Sequence, residues 1–247
     1  MTSHSRVFLF VSHLATPMSL LGHTARFVLS CPNPEESRQQ WEFLGFEDVG
    51  SAAGSVRLSD GQIFLTLVSG DVRPLACAYF APSLQSVGDK LVAAGIAIEG
   101  NASTQWRVAG PGSLEWWIHP AHPSDMLVRT GEGSPLLGYF DALVCAVPDA
   151  EQAAEMAQKM GYVIIDAWPE PMPQVDLTDG LLTLSFRTQA AANPVLHYTA
   201  DLDEYWISEA VEGLGESVVI HRNTAGQAVL AVISMPDGAT IMVTPDM

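Results

Sequence analysis

The sequence repeats one pattern four times, and this repeat limits the folds open to the chain. Each unit has an apolar run, a residue suited to a helix N-terminus, a helix-like stretch and a glycine about one helix length further on. Asn, Ser and Asp side chains accept hydrogen bonds from the free N–H groups of a first helical turn, and glycine suits the left-handed conformation that ends many helices. The capping residues are Asn33, Ser83, Asp149 and Asp201, and the glycines are Gly45, Gly95, Gly161 and Gly215.

A turn and an alternating apolar run close each unit. The turns are Asp60-Gly61, Gly110-Pro111-Gly112, Asp179-Gly180 and Asp237-Gly238. Alternation of this kind predicts strands with one buried face, so each unit is expected to be a βαβββ unit. Neither half-sheet can cover its apolar face alone, and pairing two units buries both. We expect an α+β fold in which four βαβββ units pair into two domains, each with its helices outside and a sheet-lined cleft.

The domain limits follow from the same repeat. We expect domain 1 to span residues 23–119 and domain 2 to span residues 138–247, with a linker rich in Pro, Gly and Ser at 120–137. Residues 1–22 are interpreted as an N-terminal extension. Its VFLFV run resembles a signal-peptide core, but the run is short, and His13 and Pro17 interrupt the residues after it. An upstream start codon, with Met18 as the true start, is the simpler interpretation. The proline-rich stretch 168–177 predicts a loop over an opening.

Charge and composition restrict the partners. The chain has 247 residues, 48% of them apolar, which is enough for a sizeable core. Its 28 acidic and 11 basic residues give a net charge of -17, which disfavours nucleic acids and anionic membranes. No apolar run reaches the roughly 18 residues of a membrane span. We expect a small-molecule ligand, no nucleic-acid partner and no membrane partner, while a homodimer stays open.

The three cysteines favour a structural role. Cys31, Cys77 and Cys145 are odd in number, form no C-x-x-C pair and lie in predicted apolar strands. Buried, reduced thiols in a cytoplasmic protein are the expected state. A nucleophilic cysteine would need an accessible, electropositive setting, which strand interiors seldom provide.

The repeat resembles the vicinal oxygen chelate superfamily, which includes glyoxalase I, bleomycin-resistance proteins and extradiol dioxygenases. The resemblance covers residues 24–245 and lies in the strand–cap–helix–glycine spacing and the turn before each closing strand. Four units in one chain are similar to the two-domain members. For metal-using members, the resemblance implies a His about seven residues before each helix cap and a Glu about four residues after the turn glycine. Together these hold a divalent ion in the cleft.

The positions that match those ligands carry other residues. On the first strands they are Arg26, Ala76, Ala142 and Pro194, and on the closing strands they are Leu65, Trp116, Leu184 and Met242. A shift of one residue adds Asp141, Glu115 and Thr66, and His197 lies three residues too late. We therefore expect no metal and no cofactor. The resemblance then implies binding of the bleomycin-resistance type, in which the cleft holds a drug without reacting with it. Whether the chain catalyses any reaction stays open.

Four residues are the candidates for contact with a ligand, which is expected to be flat or anionic. Arg26 can bind an anionic group through two parallel hydrogen bonds, or pair with an acidic neighbour instead. Trp116 can stack on a flat ligand, or pack in the core. His197 and Tyr198 can act as a base or hydrogen-bond donor in the second cleft, or be core residues with a satisfied polar atom.

Two other functions remain open. A metal-dependent lyase or extradiol-type dioxygenase with a displaced metal site requires that Glu115, Asp141, His119 or His197 converge. An interaction protein with clefts filled by side chains would explain the large apolar residues Leu65, Leu184 and Met242. His119, His122 and Asp125 resemble a metal cluster, but the prolines between them favour a solvated linker.

Overall fold

The computed structural model describes residues 19–246 except 52–53, 72, 74, 126–133, 135, 170–171 and 189–193. Two units make the first half. Unit one comprises β1 (Thr24–Cys31), α1 (Pro34–Phe43), β2 (Glu47–Asp48), β3 (Ser55–Ser59) and β4 (Phe64–Ser69). Unit two comprises β5 (Ala76–Ala81), α2 (Leu84–Ala93), β6 (Glu99–Asn101), β7 (Gln105–Ala109) and β8 (Glu115–Pro120).

The second half repeats this order. Unit three comprises β9 (Tyr139–Ala146), α3 (Ala150–Lys159), β10 (Val163–Trp168), β11 (Gln174–Thr178) and β12 (Thr183–Arg187). Unit four comprises β13 (Val195–Ala200), α4 (Glu204–Leu214), β14 (Val218–Arg222), β15 (Ala228–Ser234) and β16 (Thr240–Pro245). Short 3-10 helices lie at Pro111–Ser113, Pro123–Asp125 and Gly215–Ser217. The four predicted βαβββ units and the α+β class are confirmed.

Each half forms one open, eight-stranded sheet. Sheet 1 has the order β2-β3-β4-β1-β5-β8-β7-β6, and sheet 2 has the order β10-β11-β12-β9-β13-β16-β15-β14. Within a unit, the first strand is parallel to the closing strand, as β1 is to β4. The first strands of paired units, β1 with β5 and β9 with β13, meet antiparallel at the sheet centre. Two units therefore share one continuous sheet, which neither could complete alone.

The helix ends follow the predicted signals with one exception. Asn33, Ser83 and Asp149 each accept a hydrogen bond from a backbone N–H of the first turn. The expected cap Asp201 is wrong, because Asp203 accepts from the Trp206 N–H at 2.7 Å and α4 begins two residues later. The four glycines predicted at the helix ends all have positive φ.

The proline-rich stretch is shorter than expected. β10 reaches Trp168 and β11 begins at Gln174, so only residues 169–173 connect them. Gln174–Thr178 alternates polar and apolar residues and pairs with both β10 and β12. The sequence predicted a loop over residues 168–177. That prediction is wrong from Gln174 onward, because these residues form β11.

The helices pack on one face of each sheet. On sheet 1, Phe27, Leu65 and Trp116 lie on that face, in the same apolar core as Trp41 of α1 and Leu91 of α2. Successive residues of a strand point to opposite faces. The residues between these core positions therefore point to the opposite face, which we call the cleft-side face. The interaction-protein alternative assumed that Leu65 and Leu184 fill the clefts. Both are core residues instead.

Three Asp-Gly turns connect the two halves. One oxygen of each aspartate accepts from one or two backbone N–H groups of its own turn. The other oxygen accepts from a side chain in the opposite half of the sequence. Those pairs are Tyr198 Oη with Asp60 at 2.7 Å, Ser19 Oγ with Asp179 at 2.6 Å and Trp41 Nε1 with Asp237 at 2.9 Å. All three aspartates are buried. The turn signal that closes a unit thus also joins the domains.

The beginning of the described chain packs against domain 2. Leu21 is fully buried in the core, and Leu20 lies against Gly161. Residues 19–22, which the sequence assigned to an extension, therefore contribute to the core, while residues 1–18 lie outside the described part. In the described chain no helix combines the length and apolar character needed to cross a bilayer.

Candidate functional site

The cleft-side face of sheet 1 holds Arg26, but the side chain is already paired. Its Nη2 donates to Asp125 Oδ1 at 2.6 Å, and its guanidinium lies 4.0 Å from the centre of the Phe80 ring. Arg26 is only 4% exposed, and desolvation lowers its pKa despite the opposing effect of Asp125. An arginine held in this way does not face a ligand, so the alternative of an acidic neighbour is the one found.

Asp125 comes from the segment interpreted as a linker. It lies in the short helix Pro123–Asp125, is buried, and also accepts from the His122 N–H at 2.9 Å. The expectation of a solvated segment is wrong for this residue. The metal cluster that His119, His122 and Asp125 resembled does not form either, since no group of three metal-binding side chains occurs in the described residues.

Trp116 and Tyr198 lie on core faces. Trp116 is fully buried and donates its indole N–H to Tyr162 Oη at 3.2 Å. The predicted stacking position on Trp116 is therefore wrong, because pairing of β8 with Cys77 of β5 turns it toward the helices. Trp117 takes the cleft-side position, where its ring lies 5.2 Å from the Arg107 guanidinium. Tyr198 is likewise fully buried, and its hydroxyl donates a hydrogen bond to Asp60.

His197 lines an open cleft on sheet 2, which we call cleft 2. Its volume is about 230 Å³, and its lining comes from both units of domain 2 and from the chain end after β16. Besides His197, its walls are Asp141, Trp168, Gln174, Asp176, Arg187, Thr199, Thr244, Pro245 and Asp246.

Three cleft 2 residues form a hydrogen-bonded chain. His197 Nδ1 lies 2.8 Å from Asp141 Oδ2, and His197 Nε2 lies 3.0 Å from Thr244 Oγ1. His197 is buried, whereas the Asp141 side chain is about half exposed. His197 pairs directly with Ala142, so its side chain lies on the cleft-side face of sheet 2, although it comes later along β13 than the position that matches the family's ligand.

A β-bulge explains this register. His197 pairs with Ala142 and Tyr198 with Phe140, so Asp141 is the extra residue of β9. A bulge redirects a side chain that regular alternation would send to the other face. Asp141 and Ala142 are neighbours in the sequence, and the bulge lets Asp141 reach His197.

Arg187 is the cation of cleft 2. Its Nε donates to Ser185 Oγ at 3.0 Å, and it makes no ion pair among the described residues. Desolvation lowers the pKa of Arg187, while Asp176 and Asp141 act in the opposite direction. Burial also raises the pKa of Asp176, although hydrogen bonds from Ser185 and Gln174 partly offset that effect. Arg187 therefore presents positive charge in a partly dehydrated site, where charged contacts are stronger than in water.

The donor set of cleft 2 does not fit the superfamily's metal. Asp141 and His197 are ligand types, but the third neighbour is the Thr244 hydroxyl. Asp141 and Thr244 also lie at the two opposite nitrogens of the imidazole, so the three groups do not converge on one point. Glu115 and His119, which the metal-dependent alternative also needed, lie on sheet 1. In the described residues, no three metal-binding side chains come together.

Sequence reasoning missed Arg187, Trp168 and Thr244. Two of them carry a signal that was available. Thr183, Ser185 and Arg187 alternate with apolar residues along β12, and Thr240 and Thr244 lie on the face of β16 opposite the buried Ile241 and Val243. That alternation marks a polar face opposite the core. Trp168 has no such signal, because all six residues of β10 are exposed.

Comparison with solved structures identifies the fold. Homoprotocatechuate 2,3-dioxygenase from Arthrobacter globiformis matches with a TM-score of 0.61 at 14% identity, over 94% of this chain and 82% of that one. A variant of the Brevibacterium fuscum dioxygenase gives 0.61 and 14% over 94% and 74% of the two chains. The Mn(II)-bound glyoxalase from Novosphingobium aromaticivorans gives 0.60 and 14% over 89% and 80%. The chain has the vicinal oxygen chelate fold.

The likeness to these vicinal oxygen chelate structures is one of fold, since the sequences share few residues. Neither a protein-family model nor a curated protein matches the sequence. The match to both a dioxygenase and a glyoxalase confirms the four-unit, two-domain arrangement. What the cleft does must be argued from its own side chains.

Proposed function

We propose that the protein binds a small planar molecule with an anionic group in cleft 2, without the metal that the superfamily's enzymes use. The observation that carries this proposal is the state of Arg187. Its guanidinium lines an open cleft, is partly dehydrated and forms no ion pair among the described residues. A guanidinium in such a setting suits a carboxylate or phosphate, because its parallel N–H groups match two oxygens of the anion.

Trp168 supports a planar ligand. It ends β10, lines the same cleft and is 38% exposed, so part of its ring is open to contact. Indole rings stack on flat molecules, and aromatic walls with a few polar groups are typical of small-molecule sites. Trp168 takes the role that the sequence had given to Trp116, and Arg187 takes the role given to Arg26.

The different environments of the arginines on the two sheets favour a binding site in cleft 2 and not on sheet 1. There the cleft-side arginine, Arg26, forms a buried ion pair with Asp125, whereas Arg187 in cleft 2 forms no ion pair among the described residues. Carboxylates of Asp141, Asp176 and Asp246 also line cleft 2. They disfavour a multiply charged anion, so a monoanion is the expected ligand class.

The test is a binding titration with 4-nitrobenzoate, read by quenching of tryptophan fluorescence. Arg187→Met should weaken binding at least about tenfold, which corresponds to one charged contact, and Arg187→Lys should restore part of it. Trp168→Phe should remove most of the quenching. Arg222→Met is the matched control, because it removes an exposed arginine paired with Glu204 and lowers the net charge equally.

Two further results bear on the proposal. Neutral 4-nitrobenzamide should bind more weakly than the anion, and EDTA should leave the affinity unchanged. Equal affinity of the wild type and Arg187→Met would contradict the assignment of Arg187. Binding that needs an added divalent ion would contradict metal independence.

A further inference from the structure

The hydrogen-bonded chain in cleft 2 has a direction. A carboxylate only accepts, so His197 Nδ1 carries a proton and donates it to Asp141 at 2.8 Å. In the neutral imidazole, Nε2 is then an acceptor, and the Thr244 hydroxyl at 3.0 Å donates to it. Thr244 therefore donates its hydroxyl proton to the His197 imidazole, and the Asp141 carboxylate orients that imidazole.

The sheet fixes this arrangement. The three residues lie on β9, β13 and β16, which are neighbours in sheet 2. His197 pairs with Ala142 on one side and Met242 on the other, which places Thr244 two residues further along β16. The bulge in β9 brings the third side chain, that of Asp141, within hydrogen-bond distance of His197. Groups held by paired strands lose little freedom when they act together.

Sheet 1 shows that the fold does not require this histidine. The position that corresponds to His197 is Ala78, which pairs with Arg26 as His197 pairs with Ala142. An alanine therefore suffices at that position of an equivalent sheet. The imidazole and its two partners are specific to the cleft that holds Arg187.

We propose that Asp141, His197 and Thr244 form a metal-independent acyl-transfer triad that acts on a small ester or thioester bound in cleft 2. Thr244 is the nucleophile, His197 the general base and acid, and Asp141 the positioning residue. The order of groups and the two distances match the general pattern of an activated hydroxyl nucleophile. This activity rests on the proposed function, because Arg187 and Trp168 would hold the acyl compound.

The reaction balances without any other reactant than water. Thr244 Oγ1 attacks the carbonyl carbon, and the hydroxyl proton passes to His197 Nε2. The bond from carbon to the leaving alcohol or thiol breaks, and that group takes the proton from His197. Water then attacks the acyl-threonine, gives one proton to His197, and Thr244 recovers its proton as the carbon–Oγ1 bond breaks. The products are a carboxylic acid and the alcohol or thiol.

The experiment uses the full chain with 4-nitrophenyl acetate and with a 4-nitrophenyl ester that carries a carboxylate. Release of nitrophenol is followed, and acid-quenched protein is analysed by intact mass and peptide mapping. The expected result is one acyl group on Thr244, with a burst of nitrophenol. Thr244→Val should abolish the adduct, and Thr244→Ser should retain it. His197→Gln should slow acylation at least about 100-fold.

Asp141 acts through His197, so its variants need a separate readout. Asp141→Asn should slow acylation at least about 100-fold while 4-nitrobenzoate binding is unchanged, and Asp141→Glu should restore part of the rate. Thr66→Val is the matched control, since it removes a buried threonine hydroxyl from the cleft-side face of sheet 1 and should not change the rate. Circular dichroism and thermal melting establish that each variant is folded.

The outcomes separate this proposal from the one on which it rests. Two results overturn the triad and leave the binding function standing, provided that 4-nitrobenzoate binds normally. One is the absence of an acyl group on Thr244, and the other is an acylation rate of His197→Gln equal to that of the wild type. Acylation of Thr244 that Arg187→Met does not alter supports the triad and overturns the binding role of Arg187. Absence of both binding and acylation overturns both proposals.

Discussion

The Tyr198 hydroxyl donates a hydrogen bond of 2.7 Å to Asp60 Oδ2, which joins the centre of sheet 2 to a turn in domain 1. The other Asp60 oxygen accepts from the backbone N–H groups of Gln62 and Ile63. Burial, and then the charge of Asp60, raise the pKa of Tyr198 well above its usual value, so the phenol stays a donor. One carboxylate therefore sets a turn and couples two domains.

Tyr198→Phe should lower the free energy of unfolding by about 1.5–3 kcal/mol, because it removes a donor to a buried carboxylate. Urea denaturation followed by fluorescence and far-UV circular dichroism measures the change. Both signals should fall in one transition, since both halves share the core. Tyr205→Phe, at an exposed position of α4, is the control and should have little effect. A loss below about 0.5 kcal/mol would show that water replaces the phenol.

The Arg26–Asp125 pair predicts an asymmetric response to substitution. Removing one partner leaves a buried charge alone, so Asp125→Asn should destabilise the protein by about 3–5 kcal/mol. The double variant Arg26→Met with Asp125→Leu should be more stable than Asp125→Asn alone, because no buried arginine is left without its carboxylate partner. Arg57, whose Nη2 lies 3.9 Å from Asp125, is partly exposed. Urea denaturation of the single and double variants gives the coupling energy.

The exposed pair Arg222–Glu204 is the control for that cycle. Its atoms lie 3.0 Å apart, but the glutamate is largely in water, so Glu204→Gln should change stability by less than about 1 kcal/mol. Equal effects at the two pairs would contradict the burial of the Arg26–Asp125 pair.

The fold was predictable because its signals are local. A cap three residues before its N–H donor, a glycine at positive φ and an aspartate that holds its own turn depend only on near neighbours. The error at Asp201 is of the same local kind, since Asp203 offers an equivalent carboxylate two residues later. Four repeats of such signals define the unit even when one of them is misplaced.

The candidate site was not predictable in the same way, because it depends on contacts between distant residues. The bulge that brings Asp141 to His197 is a property of strand pairing and has no mark in the sequence of β9. Alternation shows that Trp116 and Trp117 face opposite sides, but only the pairing with β5 shows which side is the core. The partner of Arg26 lies 99 residues away, in a segment interpreted as a linker.

The three cysteines should be unreactive in the folded protein. All are fully buried, and burial raises the pKa of each, to about 12 for Cys145. The thiolate is the reactive form, so 5,5′-dithiobis-(2-nitrobenzoate) should modify no thiol in native buffer and three in denaturant. The denatured sample is the control for reagent activity. Rapid modification of one thiol in native buffer would show that its strand opens locally.

Asp176→Asn should stabilise the protein at neutral pH. Burial raises the pKa of Asp176 in the folded state above that of the unfolded chain. The folded protein therefore binds this proton more strongly, and stability falls as the pH rises from the unfolded pKa of about 3.9 through the folded value. Above that window the charged carboxylate is a constant cost, which the neutral amide removes. The urea midpoint of Asp176→Asn should exceed that of the wild type at pH 7, and the difference should shrink as the pH falls toward 4. Asp166→Asn, on exposed β10, is the control for the loss of one carboxylate at a surface position. A midpoint difference that is constant with pH would mean that Asp176 carries the same charge in both states.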